Sequence, residues 1–195
     1  MGEKYSGHRE VPFYSQKTEF LVSEGSLERS QIVGWENNLC GLLCALMVLN
    51  TFSSSQHTVS ELLAFAEKIN AYDKKHGWIH DKVVDLLLNY GIEGERQSIN
   101  DPQTIHSLLN EGNLIIASVS PRYLDSTLFS FFKRKKSGHL VLVIGISQMM
   151  MGNYQLTIHD PGSEITEGGS GLLADWKTFN NNFSGNTIVF KQPES

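Results

Sequence analysis

The spacing of apolar positions divides the chain into two halves with different periods. In the first half, Leu39 to Leu49 is apolar on every side apart from Gly41 and two thiols, Cys40 and Cys44. A segment apolar all round is either a helix at the centre of a domain or a membrane insertion. Eleven residues are too few to cross a bilayer. The pattern therefore predicts a central buried helix, entered through the polar turn Glu36-Asn37-Asn38, with Cys40 at its first turn. Thr58 to Glu61 then reads as a capping box, followed by Leu62, Leu63, Ala66 and Ile69 on one helical face. A third helix is predicted from about Asp81 to Tyr90, stopped by Gly91. Asp101 and Pro102 supply an N-cap and a first-turn proline for a fourth, Gln103 to Asn110, ended by Gly112.

In the second half the period shortens. Leu114–Val119 and His139–Ile144 are short apolar runs rich in β-branched residues, and Tyr154–Ile158 alternates. Met150 to Asn153 forms the turn between the last two. A glycine-rich loop over 161–171 leads to a short helix near Ala174–Asn180, and Asn186–Phe190 supplies a final strand. Helices followed by strands predict an α+β domain, an N-terminal helical half and a C-terminal antiparallel sheet. Residues 1–10 are polar and expected to fray. Val11 to Gln16 reads as an extended segment, since a residue before proline avoids the α region. Residues 17–37 read as an irregular excursion. Nothing in the spacing divides residues 1–195 into more than one domain.

Composition narrows the chemistry. A net charge of -5 and a pI near 5.8 argue against a dedicated nucleic-acid binder. The one basic run, Lys133 to Lys136, reads as a solvated loop. The first residues lack the apolar stretch of a secretory signal. Two cysteines four apart on one helix make a poor disulfide, so reduced thiols and a cytoplasmic setting are expected, without membrane insertion. The seven histidines are scattered without metal-ligand spacing, so neither a metal nor another cofactor is expected.

What remains is thiol chemistry. Unpaired N–H groups and the dipole at a helix start favour negative charge, which makes a thiolate available at Cys40. Cys44, one turn deeper, is expected to stay neutral in the core. A thiolate nucleophile needs a base, and the base needs an orienting partner. His139 opens one predicted strand and Asp160 closes the next, so a hairpin turning at Met150–Asn153 sets them side by side at one sheet edge. His159 is the rival base; it alternates with Asp160, so only one of the two faces the site. His57, His76, His80 and His106 lie in helices or polar breaks and read as structural or exposed.

Four motifs in order resemble the peptidase C39-like cysteine proteases, a papain-fold family. They are Val11-Pro12-Phe13-Tyr14-Ser15-Gln16, then Cys40-Gly41 with Ala45 to Leu49, then Gly138-His139 to Gly145, and His159-Asp160-Pro161. The resemblance spans residues 11 to 190. It implies Cys40 as nucleophile, His139 as general base and acid, and Asp160 as the residue that orients His139. It also implies a glutamine amide in the oxyanion hole, which falls on Gln16; Gln31, Asn37 and Asn38 lie nearer to Cys40 and carry the same amide group. The chain departs from the family at Cys40-Gly-Leu-Leu-Cys44, where a polar step often follows the glycine. The activity implied is hydrolysis of a peptide bond in a peptide or protein substrate, possible leader trimming included. An amidase, transglutaminase or acyltransferase on the same triad, and a peptide-binding relative without catalysis, are the alternatives. Residues 17–37 and 121–137, the latter with Phe129, Phe131 and Phe132, are candidate rims of a substrate groove, against a plain reading as anchor and solvated loop.

Overall fold

The computed structural model of the protein describes residues 4–7, 10–23, 32–35, 37–120, 138–149, 152–163 and 169–193. Gln31, Met150, Met151, Gly168 and the 121–137 segment lie outside them. Six helices are described: α1 (Thr18–Ser23), α2 (Cys40–Phe52), α3 (Val59–Lys68), α4 (His80–Leu88), α5 (Pro102–Asn110) and α6 (Trp176–Asn182). The strands are β1 (Lys4–Gly7), β2 (Tyr72–Asp73), β3 (Gly77–Trp78), β4 (Gly94–Ser98), β5 (Leu114–Val119), β6 (His139–Gln148), β7 (Tyr154–His159), β8 (Leu172–Asp175) and β9 (Phe183–Phe190).

The predicted central helix is α2, and every residue from Cys40 to Asn50 is buried. Its all-round apolar surface is matched by neighbours on all sides. Leu62, Leu63 and Ala66 of α3, Val83, Leu86 and Leu87 of α4, and one face of the sheet share a single core with it. Each leucine taken fully out of water here contributes about 1.5–3 kcal/mol by transfer. Helix α3 starts as its sequence dictates: the Thr58 hydroxyl accepts from Glu61 N–H, and the Glu61 carboxylate accepts from Thr58 N–H at 2.9 Å. Asp101 caps α5 by accepting from Thr104 N–H at 2.7 Å, with Pro102 in the first turn.

The main sheet runs β4-β9-β5-β6-β7-β8, all neighbours antiparallel. Leu140, Leu142 and Ile144 of β6 face α2, whereas Val141, Val143 and Ile146 join a second core under α5 and α6. The period of two breaks after Ile144 because a bulge lies between Val143 and Gly145. Both faces of the sheet are therefore covered, which is why its strands read as near-continuous apolar runs.

Four elements differ from expectation. Residues 4–7 do not fray but pair with β6, placing Gly7 opposite Gly145. The 17–37 excursion contains α1. Strand β8 occupies Leu172–Asp175, so the short helix after it starts only at Trp176. Strand β4 forms from the polar sequence Gly94-Glu-Arg-Gln-Ser98 by pairing with β9.

Candidate active site

Cys40 is the first residue of α2. The preceding Leu39 makes no side-chain hydrogen bond to the helix start. The backbone N–H groups of that turn have no intrahelical acceptor, so Cys40 sits at the positive end of the helix. Gly41 is required by packing: a Cβ there would overlap the indole of Trp78. The indole N–H in turn donates to the Asn38 carbonyl at 2.7 Å, fixing the turn that enters the helix. Trp35 stacks on Trp78 with ring centres 6.0 Å apart, and Tyr72 tilts against both. Tyr72 and Trp78 are delivered by the β2–β3 hairpin, an element without a signal in the apolar pattern. Burial, then the charge on Cys40, pushes the Tyr72 phenol up from its ordinary value.

His139 and Asp160 meet as an ion pair, Nε2 to Oδ1 at 2.6 Å, with both side chains largely buried. The register is not the one the simple hairpin predicts. Leu142 pairs with His159, so Asp160 falls level with Val141, and His139 reaches it along the diagonal, two residues away on the same face. Asp160 Oδ1 also accepts from Gly162 N–H at 2.8 Å, which fixes the carboxylate independently of the imidazole. Nε2 is thereby committed to Asp160, which leaves Nδ1 as the ring nitrogen able to serve Cys40. Burial alone would push the imidazole down. The hydrogen bond to Asp160, together with the influence of Cys40 and the carboxylate charge, outweighs it and pushes His139 up to about 10.

Gln16 reaches the same place despite the 24-residue separation from Cys40 in sequence. Its backbone N–H donates to the Pro161 carbonyl at 2.9 Å. A Cβ on Gly162 would lie 2.8 Å from His139 Cε1 and 2.9 Å from Gln16 Nε2, so the imidazole and the amide converge on this one glycine. Gln16 Oε1 is buried without a hydrogen-bond partner. Gly162 had no role in the sequence reading; the signal was available in the Asp-Pro-Gly step, where only the missing side chain leaves room for both groups. Of the other amides near Cys40 in sequence, Asn37 is exposed in a left-handed turn (φ 65°), and Asn38 holds Trp78 with its backbone carbonyl.

The remaining candidates separate cleanly. Cys44 is fully buried, its thiol donating to the Leu140 carbonyl at 3.5 Å, and burial, then the charges of Cys40 and Asp160, pushes it well above the ordinary thiol value. His159 is buried on the other side of its strand. Its Nε2 donates to the Val11 carbonyl at 3.1 Å and its Nδ1 accepts from Gly171 N–H at 2.9 Å. His106 bonds Ser6, His57 bonds Ser53, and His76 bonds Asp73. Among the described residues no group of three acidic, histidine or cysteine side chains is placed to hold a metal ion, and no helix is long and apolar enough to cross a membrane.

The model of the Peptidase_C39 like family matches residues 8–186. No curated protein sequence matches the chain. Among solved structures, a candidate C39-like peptidase from Bacillus anthracis superposes with a TM-score of 0.62 at 11% identity, covering 98% of this chain and all of that one (100%). A double glycine motif protease from an AMS/PCAT transporter, solved with its leader peptide, gives 0.51 at 18%, covering 96% and 95%. Bromelain from Ananas comosus, solved with the inhibitor E64, gives 0.52 at 12%, covering 80% and 90%. At these identities the likeness is one of fold, a papain-like one.

Proposed function

We propose that this chain, which belongs to the Peptidase_C39 like family, hydrolyses peptide bonds by thiol acyl transfer at Cys40. One observation carries the reading: His139 holds a buried carboxylate through Nε2 at 2.6 Å and lies close enough to Cys40 for the sulfur to raise its pKa. An imidazole held between a helix-start thiol and an acid keeps a thiolate–imidazolium pair at neutral pH.

In the proposed cycle the Cys40 thiolate attacks the scissile carbonyl carbon and the carbonyl π electrons move onto oxygen. The oxyanion is held by the Cys40 backbone N–H and by the Gln16 side-chain amide. The tetrahedral adduct collapses to a thioester as the C–N bond breaks, and His139 gives its proton to the leaving amine. His139 then takes a proton from water, the resulting hydroxide displaces the thiolate from the acyl carbon, and the enzyme is restored. Asp160 holds the imidazole ring in place through both steps.

The substrate proposed is an extended peptide with small residues at the cut, by analogy with the double glycine motif protease solved with its leader peptide. An acyltransferase on the same residues differs in the acceptor for the thioester, and an amidase in the acyl donor. To test the proposal, wild type and Cys40→Ala are incubated with a synthetic peptide containing a Gly-Gly step and with casein. Acid-quenched samples are then examined by intact mass for an acyl adduct on Cys40 and for new peptide termini. Cys40-dependent cleavage with incorporation of water is expected. Transfer to an added amine in preference to water would move the assignment to an acyltransferase, and no adduct with either substrate would defeat it.

A further inference from the structure

His159 is a buried imidazole that the proposed cycle does not use. Its exposure is 4%, and both ring nitrogens are engaged by backbone: Nε2 with the Val11 carbonyl at 3.1 Å, Nδ1 with Gly171 N–H at 2.9 Å. Because Gly171 donates, Nδ1 carries no proton; because a carbonyl accepts, Nε2 does. The ring is therefore a neutral imidazole of fixed tautomer, and burial, opposed by the Val11 carbonyl, holds its pKa below the ordinary value. The Phe13 ring meets it edge-on at 5.4 Å.

These contacts tie together three stretches that are distant in sequence. The Val11–Gln16 segment forms no regular strand, yet it must deliver Gln16 against Gly162 and His139. It is pinned at its far end by Gln16 N–H to Pro161 and in the middle by the Tyr14 hydroxyl, which accepts from Asn50. At its near end the pin is His159. The same residue precedes Asp160, whose own N–H donates to Gly169 at 2.7 Å, beside the Gly171 that His159 holds.

We infer that His159 is a positioning residue for the oxyanion hole: a neutral imidazole strut that anchors the Val11–Gln16 segment to the strand carrying Asp160 and so sets the Gln16 amide. This inference rests on the proposed role of Gln16. Its consequence is a separation of two reactions at one sulfur. Alkylation by iodoacetamide displaces iodide from a saturated carbon and forms no oxyanion, so it reports the Cys40–His139–Asp160 set alone. Acylation by p-nitrophenyl acetate passes through a tetrahedral oxyanion and releases p-nitrophenolate, so it reports the hole as well.

The test compares both rates in wild type, Gln16→Ala, His139→Ala, His159→Phe and His159→Gln. Removing an oxyanion donor costs about 10²–10³-fold, and Gln16→Ala is expected to lose acylation on that scale while alkylation stays within about twofold. His159→Phe fills the space without either hydrogen bond and is expected to lose acylation about 10- to 100-fold, again with alkylation retained. His159→Gln, with an amide that can both donate to Val11 and accept from Gly171, is expected to recover part of the loss and keeps the test open if the phenylalanine variant does not fold. If Gln16→Ala splits the two rates and the folded His159 variants do not, the strut is refuted and the proposed function stands. Equal loss of both rates in the His159 variants would also refute it, since their effect would then lie on Asp160. If wild-type alkylation is slow and indifferent to His139, the proposed function itself is refuted.

Discussion

Cys40 and Cys44 leave the same helix one turn apart, and their partners are consecutive residues of β6, the His139 side chain and the Leu140 carbonyl. At Cys40 the helix has just begun, its N–H groups are unspent, and an imidazole tied to a carboxylate stands beside the sulfur. Four residues on, the helix is closed on all sides, and the thiol meets only a carbonyl that accepts its proton. The lesson is that the side chain decides little: one turn of helix and one step of strand separate a thiol at an open helix start beside an imidazole from one whose burial opposes ionisation.

The sharpest way to break this contrast is to remove the first sulfur. Cys40→Ala is expected to abolish hydrolysis, a loss of roughly 10⁶-fold on the scale of nucleophile removal in a triad enzyme, with the thermal midpoint little changed. Measuring peptide cleavage beside a melt separates the two. Next comes the imidazole: His139→Ala is expected to lower cleavage by about 10²–10⁴-fold, and Asp160→Asn by up to about 10⁴-fold if the ring loses its tautomer and orientation. Residual rates in single-turnover assays check both.

The pair also has a signature in stability. His139 is held at about 10 in the folded protein against 6.5 for a free histidine. Its folded value is raised, so the stabilisation it contributes is complete below about pH 6.5 and is lost as pH rises through about 10. Urea unfolding from pH 6 to 10.5 should show wild type and His139→Ala converging over that interval; parallel curves would contradict it. A smaller effect is expected at Gly41→Ala. The added methyl overlaps Trp78, which should cost about 1–3 kcal/mol of stability and slow cleavage by displacing the turn before Cys40. The least consequential change is Cys44→Ala, with activity within about twofold and a stability loss of about 1 kcal/mol, read from denaturant midpoints.

Much of this is legible in the sequence. The all-round apolar run at Leu39–Leu49 admits one placement, and α2 takes it. The caps at Thr58 and Asp101 act within three residues, where local chemistry suffices. His139 and Asp160 could be brought together because a hairpin relates distant positions by a simple rule, although the strands pair three residues out of the expected register at Gln148 and the bulge after Val143 recovers only one of them, leaving the pair on a diagonal. What stayed hidden was set by partners far along the chain. Strand β4 is polar and exists because β9 offers an edge. The β2–β3 hairpin is two residues a side, too short to show a period. The choice between His139 and His159 turned on which face of β7 receives the Val11–Gln16 segment, and no spacing within either motif contains that information.

The measurement closest to the central claim is the rate of iodoacetamide labelling at Cys40 from pH 5 to 9, followed by intact mass in wild type, Cys44→Ala and His139→Ala. The account predicts fast single labelling that persists at pH 5–6, is unchanged without Cys44 and weakens without His139. A rate that rises only near the free-thiol value of about 8.5 and ignores His139 would contradict it, leaving Cys40 an ordinary buried cysteine like its neighbour.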